Sequence, residues 1–308
     1  MSKKLISWIP LYDTMGFAST RIRLLYPHQS INKYYSDQYE SVIGYREDAD
    51  ILIIQKKLDA EALGYARNFK GFKIYDYDDP VYGHENFRNM VNLVDLVTTD
   101  VKGSKALFDS MGLGKPCIVA EDCLDYGISE LLEPAEAGRG LVWFGNAACY
   151  PSIHSMLDYG YKLGYNLRLI SDLNELQSLC PNAAHIRTER VAWSATTMVD
   201  ELRRSSTCLL SHAGGAEHRK SNNKMIVAIA AGLPVIAGPS DSYLDLLTQF
   251  QLQDFQVFNE DEFAKAAGIL ENPKARADYL QQIQPYILNR YSTKNVTANF
   301  LEEIQQYA

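Results

Sequence analysis

The chain has 308 residues, of which 46% are hydrophobic and 22% charged; this is an ordinary globular composition, long enough to bury a core without staples. Its 30 Lys and Arg against 38 Asp and Glu give a net charge of −8. Up to residue 140 there are 16 basic and 21 acidic residues, and beyond it 14 and 17, so neither part has the basic surface of a dedicated nucleic-acid-binding protein.

In chain order, the first apolar run follows Lys3 and Lys4. No small-residue cleavage site comes after it and Asp13 interrupts it, so it reads as a first strand and not a signal peptide. Strand-like runs then recur at 5–9, 51–54, 72–75, 96–99, 117–120, 142–144, 167–170, 191–193, 208–210, 235–237 and 255–258. Several are continuous Val/Ile/Leu runs, the pattern of parallel strands covered on both faces. Helix-like stretches at 18–34, 103–111, 150–163 and 261–270 lie between them. This alternation predicts an α/β doubly wound protein. Eleven strands exceed one comfortable open sheet, so two Rossmann-like domains facing a cleft are expected. The segment 131–140 holds Pro134 and two glycines without apolar periodicity and reads as the linker. The expected domains are therefore 1–138 and 139–285, with a last helix over 286–308 that carries Val296, Phe300 and Ile304 at helical spacing.

The five cysteines, Cys117, Cys123, Cys149, Cys180 and Cys208, are odd in number and include no Cys-x-x-Cys pair. They read as free thiols in a reducing cytoplasm. The longest apolar stretch, 225–238, is broken by Gly232 and Pro234 and is shorter than the ~20 residues of a membrane helix. A cytoplasmic location is expected, with membrane contact at most peripheral; the sequon at Asn295 would go unused there.

The most informative segment runs from Arg219 to Ala237. Ser221 or Asn222 suits an N-cap, Met225, Ile226 and Ile229 fit the packed face of a helix, and Gly232 fits its left-handed stop. Arg219, Lys220, Lys224 and the N–H groups near 222–224 would then share one helix N-terminus. That is an anion site suited to a phosphate or diphosphate; an ordinary capped helix with solvated basic residues fits the local pattern equally well.

The stretch Lys220-Ser221-Asn222-Asn223-Lys224 through Ala230-Ala231-Gly232-Leu233-Pro234-Val235-Ile236-Ala237 resembles the nucleotide-sugar segment of GT-B glycosyltransferases of the glycosyl-transferase-group-1 (family 4-like) type. Other segments share the resemblance: Asp50 to Lys56, Tyr75-Asp76-Tyr77-Asp78-Asp79-Pro80, Asp95 to Asp100, and Leu141 to Gly145. Together they span about residues 1–300. The resemblance implies that the last helix crosses back to the first domain after a break at Tyr291-Ser292-Thr293. It also implies a donor domain in which Gly145, Asn146, His212, Arg219, Lys220, Ser221, Asn222, Asn223, Lys224 and Tyr243 meet a nucleotide-diphosphate sugar. The acceptor would lie on the first domain near Gly16, Ser19 and Arg21, with Asp78, Asp79 and His84 as the candidate catalytic groups. Implied further are no cofactor, no essential metal, a glycan or glycoconjugate acceptor, no nucleic acid, and retention of configuration. Two departures stand out: Val227 occupies the place of the second Glu of the group's Glu-x7-Glu pair, with Arg219 eight residues earlier, and Gly145 is followed by Asn146 where an arginine is frequent.

Asp76-x-Asp78-Asp79 has three readings: a metal-binding Asp-x-Asp, a phosphatase-like nucleophile, or an acidic strand end that orients or deprotonates an acceptor hydroxyl or is simply structural. The third is preferred. His212 and His218 flank the glycines before the anion-site helix, and Arg21 and Arg23 face either a cleft or solvent. Two other outcomes are kept open: a nucleotide-sugar-binding protein without transfer, and an epimerase or hydrolase on the same scaffold.

Overall fold

The computed structural model describes residues 3–12, 14, 16–79, 81–136, 138–175, 188–212 and 219–308. The chain forms two compact units: Met1–Asp125 with Arg290–Ala308, and Tyr126–Asn289.

The first unit holds a six-stranded sheet of order β2-β1-β3-β4-β5-β6, made of β1 (Lys4–Ile9), β2 (Tyr39–Ile43), β3 (Ile51–Gln55), β4 (Phe72–Tyr77), β5 (Leu96–Thr99) and β6 (Cys117–Val119). Every pairing in it is parallel. Crossovers are α1 (Ala18–Thr20), a π-turn (Arg21–Leu25), α2 (Tyr26–Tyr34), α3 (Ala60–Asn68), α4 (Phe87–Leu93) and α5 (Lys102–Ser110). Ile51, Leu52, Ile53 and Ile54 alternate between two apolar layers, one with Tyr75, Phe87 and Val97, the other with Trp8, Leu24 and Ile74. This is why strand β3 reads as a continuous apolar run. The expected helix over 18–34 is present but contains the π-turn. Pro27 has no N–H to give the Arg23 carbonyl, and the Tyr26 N–H reaches back five residues to the Arg21 carbonyl.

The second unit holds a five-stranded parallel sheet of order β11-β10-β7-β8-β9, made of β7 (Gly140–Phe144), β8 (Asn166–Ser171), β9 (Thr188–Ala192), β10 (Thr207–Leu210) and β11 (Val235–Ala237). Its helices are α6 (Tyr150–Lys162), α7 (Met198–Arg203), α8 (Asn223–Ala230), α9 (Asp241–Gln249), α10 (Glu260–Leu270) and α11 (Pro273–Tyr291). Helix α8 is enclosed on all sides: each residue from Met225 to Ala230 is 0% exposed.

Four sequence expectations are corrected. Strand β2 reads Tyr-Glu-Ser-Val-Ile; it is an edge strand with Glu40 and Ile43 exposed, and its polar residues hide the pattern. The run 255–258 is not a strand but ends a 3-10 turn, with one bridge from Gln256 to Ala237 and Phe258 67% exposed. Helix α11 passes through Pro285, which was expected to precede a helix. The carbonyl it leaves unpaired four residues back, on Gln281, belongs to an exposed residue, so water can satisfy it. Last, the units divide at 125/126, before the expected linker. Segment 131–136 belongs to the second unit because its backbone is tied there: the Ala135 N–H donates to the Gly232 carbonyl (2.9 Å), Arg276 donates to the Ala135 carbonyl (2.9 Å), and Gln284 donates to the Leu132 carbonyl (3.1 Å).

The return to the first unit comes at Arg290, with a helix break at Ser292, whose hydroxyl accepts the Asn295 N–H at 3.4 Å. Helix α12 (Thr293–Gln305) then packs Phe300, Leu301 and Ile304 on the layer of Trp8 and Ile31.

Arg21, an expected acceptor contact, is instead structural. It is 1% exposed and grips Asp125, also 1% exposed, through Nε (3.0 Å) and Nη2 (2.7 Å). Truncating one partner strands a buried charge, so Arg21→Ala should lower stability by about 3–5 kcal/mol. Urea melts of Arg21→Ala and of the Arg21→Met/Asp125→Leu double variant test this: the single change should cost much more than the double.

Candidate functional site

In the second sheet β7 and β10 are neighbours, while the chain leaves β7 towards β8 on one side and runs from β10 to β11 on the other. That makes a topological switch point, where open parallel sheets place ligands beyond the strands' carboxyl ends. Gly145 follows β7, Ser211 and His212 follow β10, and Gly238 follows β11.

Four of the expected donor residues converge there with Lys220. A Cβ on Gly145 would lie 2.6 Å from the Lys224 ammonium and 3.3 Å from the Trp143 ring, so a side chain here would push the ammonium from its place. Gly145 is locked by the Ser171 hydroxyl on its carbonyl at 2.7 Å. Lys224 sits in the first turn of α8, where the helix dipole disfavours a cation. Burial and Lys220 push its pKa down, against the pull of the Cys149 and Cys208 thiols, and it makes no ion pair among the described residues. His212 Nδ1 lies 3.0 Å from the Ser240 hydroxyl, and its ring is 4.4 Å from that of Tyr243. Burial first, then Lys224 and Lys220, push the imidazole down to about 3, so it is neutral. Tyr243 is 0% exposed and its hydroxyl has no hydrogen-bond partner among the described residues. Lys224 beside Gly145, and a neutral imidazole stacked on Tyr243 within the field of Lys224 and Lys220, thus lie together at the strand ends of this switch point.

The remaining donor candidates take more local places. Arg219, Ser221, Asn222 and Asn223 are half-buried and lead into α8, with Asn222 at the N-cap but without a side-chain capping hydrogen bond. Asn146 is exposed and caps the turn after β7, accepting the Ala148 N–H at 2.8 Å. His218, Cys180 and Pro80 lie outside the described residues.

In the first sheet the switch point lies between β1 and β3. The carboxyl ends of β3 to β6 carry Lys56, Asp76, Asp78, Asp79, Asp100 and Asp122. Arg23 on the π-turn binds both oxygens of Asp76 (2.9 and 2.5 Å), Asp122 (2.9 Å) and the Ala120 carbonyl (2.8 Å), while Thr98 donates to Asp76 at 2.6 Å. With both its oxygens engaged, Asp76 is a member of an ion network, which speaks against the metal-binding and nucleophile readings of Asp-x-Asp. Lys56, in left-handed conformation at φ 56°, reaches Asp78 at 2.8 Å and Asp79 at 2.5 Å. Burial holds the Asp78 carboxyl above its ordinary range, against Lys56 and Arg23. Burial beside Asp122 does the same more strongly to Asp100.

His84 does not join this group. It is exposed, and its Nδ1 accepts the Asn86 N–H at 3.1 Å just before α4, so it shapes that turn instead of meeting Asp78 or Asp79. Gly16 is exposed with room for a Cβ, and Ser19 is half-buried in α1. Sequence reasoning missed Lys56 as a partner of the two carboxylates. Its place directly after a continuous apolar strand, facing an Asp-Asp strand end, was the available signal.

No protein-family model and no curated sequence matches the chain. Solved structures do. The Anabaena Alr3699/HepE structure in complex with UDP and glucose aligns with a TM-score of 0.68 at 13% identity, covering 97% of this chain and 99% of that one. The lipopolysaccharide outer core galactosyltransferase WaaB aligns at 0.63 and 10%, covering 99% and 100%. A DNA-modifying β-glucosyltransferase, studied in the presence and absence of uridine diphosphoglucose, aligns at 0.66 and 13%, covering 98% and 99%.

Lys224→Met should raise the thermal midpoint of the unliganded protein by removing an ill-placed cation, and should weaken pyrophosphate binding at least about tenfold. Calorimetry with inorganic pyrophosphate and a thermal melt measure both; a variant that binds pyrophosphate normally would refute the site.

His212 supplies a pH signature. The folded imidazole stays neutral to about pH 3, whereas the unfolded one takes a proton near 6.5. Its stabilisation is therefore complete above pH 6.5 and is lost as pH falls through that window, by up to about 1.4 kcal/mol per pH unit. Melts of wild type and His212→Asn between pH 4 and 7 should diverge accordingly. Over these matching lengths the chain has the GT-B fold.

Proposed function

We propose that this protein is a glycosyltransferase that takes a sugar from a nucleotide-diphosphate sugar bound by the second unit and passes it to a glycan or glycoconjugate hydroxyl bound by the first. The observation that carries the reading is the Lys224–Lys220–His212 group around Gly145, a cationic site at the switch point of the second sheet. Solved structures of the same fold hold UDP or UDP with glucose, which favours a uridine diphosphate donor.

As the glycosidic bond breaks, negative charge grows on the diphosphate. The two ammonium groups and the N-terminus of α8 face that charge without needing to reorganise, the arrangement that contributes most to such catalysis. No divalent ion is part of the proposal. Asp78, with its carboxyl held above the ordinary range, is the proposed group that orients the acceptor hydroxyl and takes up its proton, and Asp79 shares Lys56 with it. Retention of configuration is the proposed outcome. Val227 in place of a glutamate favours one second reading, a donor-binding protein without transfer.

The test combines UDP calorimetry with product detection from UDP-glucose and UDP-galactose, with and without EDTA. Lys220→Ala should weaken UDP binding about tenfold or more, whereas Asp78→Ala should cut transfer by about 10²-fold with UDP binding intact. Binding without transfer to any glycan would select the second reading, and absence of UDP binding would end both.

A further inference from the structure

Ser240 stands where a serine ordinarily caps a helix, and it does not cap. It is the residue before α9, with an extended backbone (φ −168°, ψ 129°), yet its side chain accepts no N–H from the first turn. A serine in this position ordinarily stabilises its helix by that bond. Here the hydroxyl is used elsewhere: Oγ lies 3.0 Å from His212 Nδ1 and 3.2 Å from the Ser242 hydroxyl oxygen. Ser240 is 3% exposed, so these two contacts stand in place of the cap.

The support of this hydroxyl does not depend on it. The Ser240 carbonyl accepts the Leu244 N–H at 2.9 Å and Gln256 Nε2 at 3.0 Å, and the buried Gln256 also reaches the Gly238 carbonyl at 3.4 Å. A Cβ on Gly238 would lie 2.7 Å from Ser211 Oγ, so the loop after β11 packs closely on the residue before His212. The His212 ring also lies against Tyr243, with centroids 4.4 Å apart and planes 35° apart. A ring bonded at one nitrogen and packed on an aromatic neighbour cannot turn over without losing both contacts.

The helix sets the direction of the bond. The first turn of α9 is the positive end of its dipole. A hydroxyl beside it is lowest in energy with its oxygen towards the turn and its hydrogen away. Of the two partners, Ser242 belongs to that turn and His212 does not. Ser242 then donates to Ser240, and Ser240 donates to Nδ1. An imidazole that accepts at Nδ1 carries its proton at Nε2, and Nε2 has no partner among the described residues.

We propose that Ser240 is a positioning residue: by donating to Nδ1 of His212 it holds the Nε2–H tautomer, and so makes His212 a hydrogen-bond donor to a phosphate oxygen of the bound nucleotide diphosphate. The identity of that ligand rests on the donor-site reading; the tautomer does not. Such a donor reaches the phosphate without placing a third cation beside Lys220 and Lys224.

Long-range proton–nitrogen correlation spectra of the full chain labelled with nitrogen-15 histidine read the tautomer at neutral pH, with the His212 signals assigned by their absence in His212→Asn. The unliganded wild type should show a pyridine-type Nδ1 and a pyrrole-type Nε2. In Ser240→Ala the signals should move towards a tautomer mixture, and calorimetry should find pyrophosphate binding weaker by about fivefold. Ser240→Thr, which keeps the hydroxyl, should restore both. A serine that served only packing would leave the tautomer unmoved. An Nδ1–H tautomer in the wild type, a measurement that needs no variant to fold, would overturn the proposal. So would an unchanged tautomer or unchanged pyrophosphate affinity in Ser240→Ala, or equal losses in the alanine and threonine variants. UDP calorimetry on the wild type separates the two readings. UDP binding together with any of those results sinks only this inference, whereas an Nε2–H tautomer without binding of UDP or pyrophosphate sinks the donor reading and, with it, the role of His212 towards a phosphate.

Discussion

A lysine ammonium held where its surroundings disfavour it organises the second unit. Lys224 lies in the first turn of a helix, against a backbone with no side chain to spare and near a second lysine. Each of these raises the free energy of the charged form. The fold tolerates it because the rest of α8 is apolar and fully enclosed, from Met225 to Ala230, so the helix is fixed by burial whatever its first turn does. The Ser171 hydroxyl then holds the Gly145 carbonyl at the end of β7, and the missing Cβ leaves room for the ammonium. His212 is bound by the same surroundings: burial first, and then two nearby cations, keep the imidazole neutral, so it can accept or donate a hydrogen bond without adding charge.

The first unit has the same kind of sheet but the opposite electrostatics. There carboxylates crowd the strand ends, and the fold answers them from within, with Arg23 reaching Asp76, Asp122 and a carbonyl, and Lys56 bridging Asp78 and Asp79. The π-turn has a part in this. It buries Arg21, Ile22, Arg23 and Leu24 in succession, and so brings two arginines to two separate acidic partners from neighbouring positions. A regular helix would turn residues two apart to well-separated faces. In the second unit Lys224 makes no ion pair among the described residues, whereas in the first Asp76, Asp78, Asp79 and Asp122 all pair with Arg23 or Lys56.

How much of this was legible in the sequence follows from what each feature depends on. Buried parallel strands show themselves because apolar residues fill both faces, so β3 and β8 were plain, whereas edge strand β2, half exposed, was not. The segment 131–136 looks like a linker because Pro134 and its glycine-bearing continuation give it no period. Its membership is decided by backbone carbonyls that find Arg276 and Gln284 far along the chain, which no local pattern encodes. The lysines, Gly145 and His212 were legible because a helix N-terminus and the turns at strand ends place residues by short-range geometry. Arg21 was misassigned for the converse reason: a charged residue on a helix face reads as exposed until its distant partner, Asp125, is known. His84 likewise differs from a catalytic histidine only in what surrounds it.

Val227 gives the missing glutamate a physical meaning. It stands three residues after Lys224 on α8 and is 0% exposed among apolar neighbours. A carboxylate there would lie one turn from the ammonium, close enough to neutralise part of its charge. With valine, that charge stays uncompensated by its own helix. In the proposed donor site the affinity would then come from the diphosphate more than from the sugar hydroxyls of the nucleotide, and the diphosphate is where charge would grow as the donor bond breaks.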